Sequence, residues 1–334
     1  MPKVALLHSN TDFGNVLLDE IDSRGNEWEV DLLTSLSINQ RIIALLRGDY
    51  DLIQADETLG NGVLGAVLGV LTETPLMIVL RGWGDMTNAH NQYGRLRETS
   101  IYIRSKAVLK ISSKVTGISR ITERKINEKY GVQCDEIIGR PIDVDYFRSG
   151  TKKADSDKFI ILTVTNLRYQ QKLSGVKTII DGLTDIFDES DDIEYWIAGD
   201  GQYLNTLRRY VDSTDYSSRI KVLGYQSDVP NLLSQATIFI YVSHLDSLST
   251  AVLEAQAAGL PVIGGDAVGV PEAVSDAGIV CPPSAEGISE ASFELFQNEC
   301  RRREYSIRAS RKMSAYNDKS IETLLNLWGD MIDN

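Results

Sequence analysis

Asp246 and Glu254 lie in HLDSLSTAVLEAQAAGLPVIGG, residues 244–265, separated by seven residues that run from a polar turn into an apolar stretch. The part DSLST is rich in residues that cap helices, AVLEAQAAG carries good helix formers, and Gly259 with Pro261 ends the run. A helix that starts directly after the strand TIFIYVS leaves the amides of Leu248, Ser249 and Thr250 unpaired, and such donors favour an anion such as phosphate. Glu254 does not suit a capping box, because the residue three before it is Ala251, which cannot cap. Thr250 and Glu254, four apart, share one helix face, so the carboxylate projects beside the anion and suits neutral hydroxyls such as those of a ribose. The retaining hydrolase pattern, two carboxylates about 5 Å apart, does not fit two acids separated by a loop or two turns.

The elements that position this stretch follow from hydrophobic periodicity. KVALLH reads as a strand, Gly14 as a turn, NVLLDEIDSRG as a helix and WEVDLL as the next strand. INQRIIALLRG, DLIQ, NGVLGAVLGVL and LMIVL continue as helix, strand, helix and strand, which is the alternation of an open parallel α/β sheet. After IIGRPIDVDYFRSG the stretch TKKADSD has no periodicity, and the pattern restarts at FIILTV and runs through IEYWIAG, RIKVLG and TIFIYVS with helices between. Two doubly wound domains are expected: residues 1–150, then 151–312 after a linker over 145–158, with a terminal helix over 313–334. Open parallel sheets bind ligands at the carboxyl ends of their strands, so a cleft there between two such domains is the expected site.

With 334 residues, 43% of them hydrophobic and 24% charged, the chain is long enough for two globular cores. The start MPKVALLH does not read as a secretory signal, and VLGAVLGVL is about half of the ~20 residues that span a bilayer, so a cytoplasmic protein is expected. Cys134, Cys281 and Cys300 are widely spaced and read as buried thiols. A net charge of −13 argues against general nucleic-acid binding. Within it, Arg95 to Lys129 holds ten bases against Glu98, Glu123 and Glu128. That segment reads either as solvated helix faces or as a patch facing an anionic surface such as acidic lipid headgroups.

The chain resembles the retaining glycosyltransferases of the GT-B fold, the large family four group. The resemblance rests on the acid, seven residues, Glu spacing of Asp246 and Glu254, on IGRPIDVDYF at the linker, on EYWIAGDGQYLNTL, and on IKVLGYQSDVPNLLSQATIFIYVS, taken in that order and spacing. It implies a nucleotide-diphosphate sugar held mainly by the second domain and a glycan or phosphorylated lipid-linked acceptor on the first, without a metal cofactor. In TNLRYQQKLSG it implies that Lys172 and Arg168, with Asn166 near the family's Arg position, neutralise the diphosphate. It likewise implies Glu254 on the ribose, Asp246 toward the sugar, and Gly14 where backbone approaches the diphosphate. The resemblance implies a last helix crossing back to the first domain, through Ile321, Leu324 and Trp328, the alternative being a terminal helix packed on its own domain.

Several positions depart from the pattern or compete with it. Arg81 in VLRGWGD stands where the family often has His, and is expected either to bind phosphate or acceptor or to mark a different chemistry. Asp246 is one methylene shorter than the family's usual Glu. Asp143 and Asp145 imitate the metal-binding pair of the GT-A architecture, but their place in the linker reads as a turn. His8, His90 and His244 are lone histidines, of which His8 and His244 fall at strand ends, and Tyr225 is a candidate beside the base or else a surface aromatic. The expected function is metal-independent retaining sugar transfer at the inner membrane face. The alternatives are a catalytically weak sugar-nucleotide-binding subunit and a sugar-nucleotide epimerase on the same fold.

Overall fold

The computed structural model describes residues 1–25, 27–83, 94–151 and 158–333. The chain forms two compact units, Met1–Pro141 with Tyr316–Asn334, and Ile142–Ala315.

In the first unit, β1 (Lys3–Leu7), β2 (Glu29–Leu32), β3 (Leu52–Asp56), β4 (Leu76–Leu80), β5 (Lys114–Gly117) and β6 (Glu136–Ile137) make one parallel sheet in the order β2-β1-β3-β4-β5-β6. The central strands read as continuous apolar runs because both sheet faces are covered. Helices α1 (Thr11–Asp22), α2 (Ile38–Arg47), α3 (Asn61–Thr72), α4 (Arg95–Ile111) and α5 (Arg120–Tyr130) alternate with these strands. Each start has a local cause: Asn10 accepts from the Asp12 and Phe13 amides, Ser37 and Gln40 form a capping box, and Ser119 accepts from Thr122 N. The turn expected at Gly14 is made by Ser9 and Asn10 instead. Gly14 sits inside α1 with its amide bonded to Asn10 O, and a Cβ there would lie 2.8 Å from Leu32 Cδ1, so its lack of a side chain serves helix-to-strand packing.

The second sheet runs β12-β11-β10-β7-β8-β9, again parallel, from β7 (Phe159–Val164), β8 (Ile193–Ala198), β9 (Ile220–Gly224), β10 (Ile238–Tyr241), β11 (Val262–Gly265) and β12 (Gly278–Cys281). Its helices are α6 (Val144–Arg148), α7 (Gln170–Gly182), α8 (Thr184–Glu189), α9 (Leu204–Asp212), α10 (Val229–Gln235), α11 (Thr250–Ala257), α12 (Val270–Val274) and α13 (Ala285–Gln297). The expected linker is partly structure. Asp143 caps α6 by accepting from Tyr146 N, and Thr151 N bonds Asn231 Oδ1, so this strip is tied to the second unit from Ile142 onward. That cap is the turn expected of Asp143; its oxygen is used on the backbone.

The terminal helix is much longer than residues 313–334. It is α14 (Glu299–Ile332), whose residues up to Ala315 belong to the second unit and whose residues from Tyr316 belong to the first. Ile321, Leu324, Leu327, Trp328 and Met331 are buried with Val4, Leu6, Leu52 and Met77 of the first sheet. Trp328 Nε1 donates to Gln54 Oε1 at 2.9 Å, which satisfies both buried polar groups. All three cysteines are free; Cys281 is buried as expected, whereas Cys134 is only half-buried and Cys300 is exposed on α14.

Candidate functional site

In the second unit the loops at the carboxyl ends of β7, β8 and β9 surround an open groove lined by Asn166, Arg168, Gly199, Gly201, Tyr225 and Gln226. Two glycines shape it. Gly199 (φ +136) and Gly201 (φ +152) run so close to the loop after β7 that a Cβ on Gly199 would lie 1.7 Å from Thr165 O, and one on Gly201 2.3 Å from Leu167 C. Gln202 Nε2 donates to Arg168 O, and Leu167 N to Asp200 O, which fixes the two loops together. Asn166 and Arg168 are exposed at the rim, and Tyr225 is 75% exposed, so its ring is presented outward.

Next to this groove, at the carboxyl end of β10, a second set of groups is buried. Lys172, on the first turn of α7, is 3% exposed, and its Nζ contacts Asp246 Oδ2 directly. Tyr241 lies between them: its hydroxyl accepts from Lys172 Nζ (2.5 Å) and donates to Asp246 Oδ2 (2.6 Å). Burial disfavours the Lys172 ammonium, but Tyr241 and Asp246 more than offset this and hold its pKa above the ordinary lysine value. Burial also pushes the Tyr241 phenol up, with the Asp246 charge adding to it, so the hydroxyl keeps its proton.

Ser249 is the N-cap of α11, yet its side chain makes no cap bond, and its buried Oγ has no hydrogen-bond partner among the described residues. Leu248, Thr250 and Glu254 are half-buried around the same helix start, and His244 is exposed. Gly269 N bonds Asp246 O, and a Cβ on Gly269 would meet Ser247 O at 2.0 Å, so the start of α12 clamps the loop that carries Asp246.

The first unit holds a different cluster. His8, Asp56 and Arg81 end β1, β3 and β4 and line a small cavity with Arg140, whose guanidinium stacks 3.9 Å above the Phe13 ring. Arg81 Nε is 3.0 Å from Asp56 Oδ2, which also accepts from Ser9 N at 2.8 Å. Burial pushes the Asp56 carboxyl up, and the Arg81 and Arg140 charges oppose that push. His8 Nδ1 accepts from Asn10 N, so its proton sits on Nε2, and burial together with Arg81 drives its pKa down to about 3. Arg81 is thus engaged by an acid of its own sheet. His90 lies outside the described residues.

The structure therefore brings Lys172 and Asp246 into contact and sets Arg168, Asn166 and Tyr225 around one groove of the same unit. Gly14 and Arg81 lie in the other unit. Sequence reasoning missed Tyr241, Asp56 and Arg140. The available signal for the first two was a polar side chain ending an otherwise apolar strand.

A family model described as glycosyl transferases group 1 matches residues 148–313. An N-acetyl-alpha-D-glucosaminyl L-malate synthase of Bacillus anthracis is 28% identical over 149 residues, 44% of this chain and 38% of that protein. A GDP-mannose-dependent monoacylated alpha-(1-6)-phosphatidylinositol monomannoside mannosyltransferase of Corynebacterium glutamicum is 32% identical over 209 residues, 56% of this chain and 54% of that protein. The chain thus spans about half or less of these relatives' length. The solved structure of HepE from Anabaena in complex with UDP and glucose superimposes with a TM-score of 0.72 at 17% identity, covering 97% of this chain and 99% of that one. Sucrose-phosphate synthase from Thermosynechococcus elongatus gives 0.73 at 13% identity over both whole chains. The two six-stranded parallel sheets are those of the GT-B fold, and residues 148–313, all of them in the second unit, match the group 1 glycosyl transferases.

Proposed function

We propose that the chain transfers a hexose from a nucleotide-diphosphate sugar to a hydroxyl of a glycan or lipid-linked acceptor, with retention at the anomeric carbon and without a metal. The observation that carries this reading is the buried Lys172 ammonium beside Asp246, at the same sheet edge as an α11 start whose Ser249 Oγ is unpartnered. An N-terminal helix turn and a cation kept charged in a buried place suit a diphosphate. The exposed Arg168 lies at the rim, where it can pair with the outer phosphate.

In this mechanism the sugar–phosphate bond breaks as the acceptor oxygen approaches the same face, and the departing phosphate oxygen takes the acceptor's proton. Lys172, Arg168 and the α11 amides stabilise the charge that develops on the leaving group, supplying what a divalent cation would otherwise supply. Glu254 takes the ribose hydroxyls and Asp246 faces the sugar. The names of the relatives, acting on malate and on a phosphatidylinositol mannoside, support a hydroxyl acceptor that carries negative charge.

The test is transfer from a panel of UDP- and GDP-sugars, with and without EDTA. Lys172→Ala is expected to lower kcat about 10²–10³-fold, the usual cost of removing one leaving-group stabiliser, with EDTA inert. Glu254→Ala is expected to raise the donor KM. Full activity in both variants, with folding intact, would sink the assignment.

A second reading, a sugar-nucleotide-binding subunit of weak catalysis, is favoured by the pairing of Arg81 with Asp56 where the family often carries His. Transfer by the purified single chain excludes it.

The first unit also supports a membrane role. Val67, Val70 and Leu71 of α3 are more than half exposed and border a groove shared with Ala107 and Ile111 of α4, beside Arg104. Lys106 and Lys110 are exposed on the same helix, whereas Lys114, Lys125 and Lys129 are paired with acids. We assign the α3–α4 surface to acidic lipid headgroups at the membrane that would carry the acceptor.

A further inference from the structure

Tyr241 is 3% exposed at the end of β10, and a phenol buried that deeply needs a partner for its hydroxyl. Any carbonyl would satisfy it. Here both partners are ionisable: Lys172 Nζ, from which it accepts, and Asp246 Oδ2, to which it donates. Lys172 also touches Oδ2 directly, so the three groups form a closed triangle. The hydrogen bonds of the Asp246 carboxylate among the described residues fall on Oδ2, and its side chain keeps 21% exposure. Oδ1 is therefore the oxygen left for a ligand.

Chain length makes this arrangement informative. Asp246 stands where the resembled family has Glu, so its carboxylate hangs on an arm one methylene shorter. A shorter arm next to a buried ammonium has two outcomes: it retreats from the ligand to meet the lysine, or a third group fills the difference. The phenol oxygen already packs against Asp246 Oδ2 at 2.6 Å, which leaves little room there for an acid one methylene longer.

We propose that Tyr241 is a positioning residue that makes up for the shorter acid, holding Asp246 Oδ2 and Lys172 together so that Oδ1 faces the donor sugar. This rests on the transfer reading above. It predicts reciprocal behaviour of two conservative changes. Tyr241→Phe removes one oxygen and leaves the carboxylate loosely held. Asp246→Glu adds one methylene that runs into the phenol oxygen. Together they exchange the oxygen for the methylene.

The experiment measures donor KM, kcat and Tm for the wild type, both single variants and the double variant, with whichever UDP- or GDP-sugar the wild type uses. Tyr241→Phe is expected to lose about tenfold to a hundredfold in kcat/KM, as for a lost hydrogen bond to a charged group. Asp246→Glu is expected to lose a similar factor, and the double variant to recover to within about threefold of wild type. A purely structural tyrosine would lower Tm without recovery by the added methylene. Wild-type kinetics in Tyr241→Phe, or a double variant no better than the worse single, overturns the proposal. Should Tyr241→Phe fail to fold, Asp246→Glu decides alone: a loss upholds the crowding argument and unchanged kinetics overturns it. Failure of the transfer reading looks different, with a wild-type chain that gives neither turnover nor thermal shift with any sugar nucleotide, and that result overturns both.

Discussion

His8 illustrates what burial does to one side chain. It is 2% exposed, accepts the Asn10 amide on Nδ1, and is driven by burial and by Arg81 to a pKa of about 3. The folded chain thus holds a neutral imidazole where the unfolded chain binds a proton at the ordinary value of 6.5. Its contribution to stability is complete above pH 6.5 and is lost as the pH falls toward 3, at up to about 1.4 kcal/mol per unit. Urea unfolding at pH 7 and pH 5 should show about 2 kcal/mol of this loss in the wild type. His8→Asn should flatten that pH dependence, and an unchanged slope in the variant would remove the account. Site residues were legible in the sequence to a similar, partial degree. The segments carrying Lys172 and Asp246 could be singled out from motif spacing, but their contact depends on two strands, β7 and β10, pairing across 77 residues, which no local pattern encodes. Tyr241 was hidden because a tyrosine in TIFIYVS satisfies the strand pattern as well as an apolar residue does. Gly14 misled because the same missing Cβ serves a turn and a close helix packing.

Among the elements, the strands of both sheets and most helices between them follow from apolar runs of four to six residues, since parallel strands buried on both faces leave little else. The segment from α4 to β6 was obscured by its charge. Ile101, Ser105, Val108 and Leu109 do form a buried helical stripe in α4, but arginines and lysines fill the other positions. The length of α14 was missed for a related reason: Glu299–Ala315 is dominated by charged residues, and only the later part shows an apolar face. That later part is essential to the first unit. Ending the chain after Ala315 uncovers Val4, Leu6 and Leu52 and removes Trp328 from its bond with Gln54. At about 1.5–3 kcal/mol for each large apolar side chain, the loss of Ile321, Leu324, Leu327 and Trp328 exceeds what a single core can spare. The truncated protein is expected to lose hydrogen-exchange protection over β1 and β3 while β7, β8 and β10 keep theirs. Uniform protection in the two sheets would contradict this.

Charge is the property that belongs to the whole molecule. A chain of −13 that carries a local excess of bases on α4 and α5 is attracted to an acidic surface through that segment and repelled as a whole. The α3–α4 surface adds apolar side chains at the same place, so binding should need both anionic lipid and hydrophobic insertion. Sedimentation with vesicles is expected only when they contain acidic lipid, to fall with added salt, and to weaken when Arg104, Lys106 and Lys110 are reversed to Glu or when Val70 and Leu71 become Ser. Salt-insensitive binding, or equal binding to neutral vesicles, would refute the assignment.

The path of α14 also sets an order of events during synthesis. Val4 and Leu6 leave the ribosome before Trp328 and Met331, which complete their core and follow more than 300 residues later. The second unit, Ile142–Ala315, is contiguous and has all its own residues before then. The unit whose strands are made before the other's is therefore the later one to be finished, and its open sheet face is exposed to chaperones while the intervening residues are made.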